Sequence, residues 1–256
     1  MTALDSHAEV LKLARLLGAD ETRLSFLEKV DARELRKLRT RMSDALFDAD
    51  LPMLQRLASA SRLVPNAVSA KVAERAYGPL LCARVAGVMD LERTIDVARR
   101  LNTGFVADVM VEMDPRRGSL ILGGLPLARV LDVIAELVRR EDWITIGRFA
   151  GHLPEATVEA ALPLLHDAAL LLTAFVLDDK ARVGQLIALL PVDRFDGLAA
   201  AAARHRLWGP LFDLLAHIGN GDRELLVGAL RRLDPESVTE ARAQAAEMDA
   251  LHYLDH

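Results

Sequence analysis

The chain has 256 residues, room for one large domain or two ordinary ones, and 52% of them are apolar while only 4% are aromatic. A core built from Leu and Ala rather than from rings points to helices, since both are strong helix formers. The net charge of −5 and pI near 5.8 argue against general affinity for phosphate backbones, which rests on clustered Lys and Arg.

The first 48 residues read as two or three amphipathic helices. Ser6 with Glu9, and Asp31 with Glu34, have capping-box spacing, in which the first side chain accepts from a first-turn backbone NH and the Glu reaches back. From Asp31 the apolar residues Leu35, Leu38, Met42, Ala45 and Leu46 share one helical face. Arg33, Arg36, Lys37 and Arg41 fall mainly elsewhere, as expected of a solvated basic stripe. The N-terminus lacks the basic-then-apolar pattern of a signal peptide, so the expected location is the cytoplasm.

From Asp50 onward a frame recurs about every forty residues, opened by Asp50, Asp90, Asp142, Asp179 and Asp222. Apolar residues follow each at helical spacing, as in Leu54 and Leu57 or Ile146 and Phe149. The later copies end on Leu153-Pro154, Leu190-Pro191 and Leu233-Asp234-Pro235, where Pro stops one helix and can begin the next. Ser237 with Glu240 gives another capping-box spacing. A further helix is predicted over 79–88, 126–138, 166–177 and 210–218.

Two junctions repeat one pattern, Tyr77-Gly78-Pro79 and Trp208-Gly209-Pro210, and each predicts a helix stopping at Gly and another starting at Pro. In the longest interval the excess residues lie at 113–125, where Asp114-Pro115-Arg116-Arg117-Gly118 and Gly123-Gly124 read as loop punctuation. The apolar segments 118–138 and 156–177 carry Arg129, Asp132, Glu136, Glu159, His166 and Asp167, so no membrane insertion is expected.

These elements predict an all-α fold, a right-handed superhelical α-solenoid of roughly five two-to-three-helix repeats over 49–256. Residues 1–48 are its N-terminal helical cap, continuous with it. The Leu-Pro and Leu-Asp-Pro stops before short helices resemble the helical superhelix of the cytosolic N-terminal domain of MgtE-type magnesium transporters, over about residues 142–250. The repeat length also resembles HEAT-type solenoids. The resemblance implies an architecture and carries over no functional residue.

Candidate chemistry is sparse. Gly123-Gly124 and Gly219-Asn220-Gly221 lack the further glycines and the Lys-Ser/Thr of a phosphate-cradling loop. Cys82 sits in an apolar run and is expected to be a buried, inert thiol. The acidic pairs Glu141-Asp142 and Asp178-Asp179 sit where helices begin, and capping explains them. Asp249, His252 and His256, at i, i+3 and i+7, would share one helix face and could hold zinc if the helix persists to the end. Trp208 and Tyr77 are expected to seal neighbouring repeats. Arg116, Arg117, Arg139, Arg140 and Trp143 are the candidate partner-binding surface.

The functional expectation is a non-enzymatic protein–protein interaction scaffold or adaptor, with another protein as partner and no cofactor. The alternatives are a HEAT-like nucleic-acid-binding protein or DNA glycosylase, requiring a basic concave face, and a magnesium- or metal-responsive regulatory module.

Overall fold

The computed structural model describes residues 3–254, and those residues form seventeen α-helices with no strand. They divide into two compact units, one formed by the residues up to Lys37 together with those from Leu165 onward, the other by Leu38–Leu164.

Helix α1 (Ala3–Leu17) is followed by a 3₁₀ segment, Glu21–Lys29, and by α2 (Ala32–Ala49). Asp31 opens α2 as predicted, its Oδ1 accepting from the Arg33 NH at 2.8 Å. Ser6 and Glu9 do not form a capping box, because α1 has already begun at Ala3. The Ser6 hydroxyl instead donates to the Val30 carbonyl at 2.8 Å, which folds the 3₁₀ segment back onto α1. Glu9, 1% exposed, accepts from Lys12 at 2.6 Å and from Arg36 at 3.0 Å.

The unit of residues 38–164 contains α3 (Leu51–Ser61), α4 (Asn66–Val72), α5 (Gly78–Ala86), α6 (Leu91–Arg100), α7 (Thr103–Glu112), α8 (Pro115–Gly124), α9 (Leu127–Arg139), α10 (Trp143–Ala150) and α11 (Glu155–Ala161). Each packs on the next but one: α3 on α5, α5 on α7 and α7 on α9 form one row, and α4 on α6, α6 on α8 and α8 on α10 form the other. The second unit continues with α12 (Asp167–Phe175), α13 (Val183–Ile187), α14 (Arg194–His205), α15 (Trp208–His217), α16 (Asn220–Arg231) and α17 (Pro235–Glu247). There α14 lies against α12 and α16, while α15 lies against α13, α17 and α1.

Short polar side chains start several of these helices, because the first-turn NH groups have no partner within the helix. Asp90, Asp114, Asp142, Asp179 and Asp234 each accept from a first-turn NH. Asp50 also precedes its helix but makes no cap bond, being drawn off by an ion pair with Arg84. Asp222 lies within the first turn of α16, and Ser237 donates its NH to Asp234 rather than acting as the cap.

Two expectations are corrected. The segment 113–125 is no loop: Asp114 caps α8, Pro115 occupies its first turn, and Gly118, Gly123 and Gly124 lie within the helix. A Cβ on Gly118 would stand 2.5 Å from Met113 Sδ and 2.9 Å from Phe149 Cε1, so this glycine serves close packing rather than a turn. The repeated junction also works in two ways. Gly78 adopts φ +73 between a π-helical turn, Ala73–Tyr77, and α5, as the Gly stop predicts. In the second copy the left-handed residue is Arg206, φ 55, and Gly209 and Pro210 belong to the first turn of α15.

Candidate functional site

Between the α3/α5/α7 and α4/α6/α8 rows lies a cavity of about 280 Å³. Its origin is local: Ala60 of α3, Ala73 of the π-helical turn, Ala86 of α5 and Ala98 of α6 line it, and such small side chains leave the space between the rows unfilled. Met89, Met110 and Met113 contribute flexible thioether walls, and Val85, Val106 and Leu122 add aliphatic ones. Two of the polar groups in the wall bond to nearby backbone. Ser61 donates to the Ala58 carbonyl at 2.7 Å and Thr94 to the Asp90 carbonyl at 2.8 Å. The surface presented inward is mostly hydrocarbon. Tyr77 lines the cavity while remaining 43% exposed, which places the ring where the cavity meets solvent, not in a sealed junction as expected.

Cys82 also lines this cavity, and burial pushes its thiol up to about 11. It stays protonated near neutral pH, in keeping with an inert side chain. The cavity can hold an apolar molecule, and it offers no activated nucleophile or acid–base pair in its wall.

The predicted surface residues fall elsewhere. Arg116 reaches Asp44 at 2.7 Å and also binds Asp114, while the Arg117 guanidinium lies 3.6 Å over the centre of the Phe47 ring. Arg139 and Arg140 both grip Glu136, and Arg140 adds Asp108 and the Gly104 carbonyl. Their hydrogen bonds hold the half-buried Glu136 carboxyl down at about 2. Trp143 is the first residue of α10 and is half-buried. The four arginines thus have carboxylate or aromatic neighbours of their own, and the two pairs face different neighbours.

Asp249 and His252 do not share a helix. Helix α17 ends at Glu247, Asp249 turns left-handed at φ 54, and His252 lies in a separate 3₁₀ turn, Leu251–Tyr253. His256 lies outside the described residues.

A cluster that the sequence reading did not reach joins α1 to α15. Asp5, Asp213 and His217 each offer a ligand atom, all within 4.8 Å of one another. Asp213 is 1% exposed, and one of its oxygens, Oδ2, accepts from Lys180 while the other, Oδ1, is buried without a hydrogen-bond donor. Burial pushes the Asp213 carboxyl up from its ordinary value, against the opposing pull of Lys180. The spacing of Asp213 and His217, one helical turn, was readable. Asp5 is more than two hundred residues away in sequence, and nothing local marks it as their neighbour.

Comparison with protein-family models, with curated proteins and with solved structures found no match.

Proposed function

We propose that this chain is a non-enzymatic binding module, built as α-solenoid repeats within each unit, whose residues 38–164 take up an uncharged hydrophobic small molecule between the two helix rows. The next-but-one packing of α3 through α10, and of α12 through α17, supports the superhelical repeat reading, since stacked hairpins bury one another's apolar faces in this order. The observation that carries the ligand reading is the apolar cavity with Tyr77 at its mouth. Concave apolar spaces with few polar groups are the usual form of small-molecule sites. The arginines that cap carbonyls or pair with carboxylates, such as Arg93, Arg116, Arg129 and Arg140, favour this reading over a nucleic-acid-binding one.

Nile red, titrated against the purified chain, is expected to bind saturably at one site per chain. Ala98→Phe and, independently, Ala86→Leu fill the cavity and are expected to weaken binding at least tenfold while the chain stays folded by circular dichroism. Absence of saturable binding, or binding indifferent to both substitutions, overturns the proposal. A protein partner is the second reading, favoured by Leu63, 89% exposed and next in sequence to the cavity residue Val64. Affinity purification with and without nuclease tests that reading.

A further inference from the structure

We propose that Asp5, Asp213 and His217 form a binding site for a divalent transition-metal ion of the zinc class. The site belongs to the unit that holds α1 and α15, whereas the cavity residues belong to the other, and it stands whether or not the hydrophobic-ligand reading does.

The backbone sets up the ligands. Asp213 and His217 are four residues apart on α15, so both side chains leave the same helix face. Asp5 comes from the first turn of α1, which packs against α15. All three ligand atoms fall within 4.8 Å of one another, and His217 Nε2 stands 3.9 Å from Asp5 Oδ1. A metal with bonds of about 2.0–2.2 Å needs only a small contraction from there.

The imidazole is oriented for this role. His217 Nδ1 lies 2.7 Å from the Asp213 main-chain oxygen, an acceptor only, so the ring donates from Nδ1. A neutral imidazole with its proton on Nδ1 has its lone pair on Nε2, the nitrogen that faces Asp5. A backbone carbonyl holding the far nitrogen is the usual support of a metal-ligating histidine.

Asp213 gives the second, independent sign. Its carboxylate is almost wholly enclosed, Lys180 satisfies Oδ2, and Oδ1 faces the cluster with no donor. His217 Nδ1, 3.7 Å from that oxygen, is already committed to the carbonyl. Buried carboxylate oxygens are costly to leave unmatched, and a cation at the cluster would match this one. Lys180 does not take its place, because its ammonium is shared with the Ala174 and Phe175 carbonyls at the end of α12.

The donor set chooses the metal. Two carboxylates, one of them shared with Lys180, supply negative charge, and one imidazole favours zinc and its neighbours over calcium or magnesium, which prefer oxygen ligands alone. The His217 side chain is 21% exposed, which gives the ion a path from solvent and leaves room for a water ligand.

The test is zinc titration of the full chain after chelator treatment, followed by calorimetry and thermal melting, with magnesium run in parallel. The expected result is one zinc ion per chain, a midpoint that climbs with free zinc, and no comparable response to magnesium. His217→Gln, at the most exposed ligand, and Asp5→Asn, on the other helix, should each lower zinc affinity at least tenfold. Each is to be checked for an unchanged helical spectrum, so that either one alone decides the matter. No zinc binding by the parent chain, stronger binding of magnesium than zinc, or zinc binding untouched in the folded variants overturns the proposal. The last outcome would assign the ion to others of the seven histidines.

Discussion

Asp114 gathers a backbone NH, a guanidinium and a hydroxyl on one carboxylate. It caps α8 by accepting from the Arg116 NH at 2.9 Å, binds the Arg116 guanidinium, and accepts from the Ser43 hydroxyl at 3.1 Å. Burial pushes its carboxyl up, but the hydrogen bonds and charge of Arg116 outweigh burial and leave it below its ordinary value. A carboxyl depressed in the folded state adds stability that is complete above its unfolded value, about 3.9, and is lost as pH falls through the folded one. Asp114→Asn keeps a capping side chain and removes the charge. The parent is therefore expected to exceed the variant by about 1.5–3 kcal/mol from pH 5 to 7, the range for hydrogen bonds to charged groups. That gap should narrow steadily as pH falls below the unfolded value of about 4, read from urea midpoints across the series. A gap independent of pH would refute the charge argument. Asp-Pro was legible as a helix start, and only the glycines that follow hid it behind the look of a loop.

At the scale of the element, α8 shows why those glycines misled. Helical glycine is costly by about 1 kcal/mol relative to Ala, so it persists where a side chain would not fit. Gly118 is such a place, with Met113 and the buried Phe149 ring against it, whereas a Cβ on Gly123 meets nothing within 4 Å. Gly118→Ala is expected to lower stability by about 1–3 kcal/mol, and Gly123→Ala to raise it by about 0.5–1 kcal/mol. Thermal midpoints moving the same way for both would show that helix propensity alone governs α8. Caps, proline stops and most helix positions were legible because their signals lie within a few residues. The arginine clamps were not: Arg93 reaches the Val64 carbonyl, Arg148 the Met113 carbonyl and Arg194 the Leu165 carbonyl, each closing the end of an earlier segment. An arginine that will cross some thirty residues looks in sequence like any exposed charge on a helix.

At the scale of the whole chain, what sequence could not reveal is which segments share a unit. Helix α1 belongs with α12 through α17, and the contacts that hold it there join residues far apart in the chain. Lys12, 2% exposed on α1, binds Glu9 at 2.6 Å and Asp178 at 2.8 Å, the latter across 166 positions. The Asp5–Asp213–His217 cluster depends on the same long-range closure, so nothing near Asp5 in sequence marks it, whereas Asp249, His252 and His256 stand at ligand-like spacing. Closing so long a loop costs conformational entropy that the contacts of α1 must offset. Lys12→Met removes the buried cation that joins Glu9 to Asp178 and leaves Glu9 its pairing with Arg36 alone among these three contacts. Breaking one side of a buried ion pair costs about 3–5 kcal/mol, which corresponds to exchange faster by about a hundredfold or more in the amides it protects. Hydrogen exchange read by mass spectrometry should accordingly quicken in α1 and in α12 through α15, while core amides near Leu54, Val133 and Ile134 in the other unit keep their protection. Equal acceleration in both units would mean that they open as one cooperative body. No acceleration anywhere would mean that α1 is held by its apolar face, Val10 and Leu13, and owes nothing to Lys12.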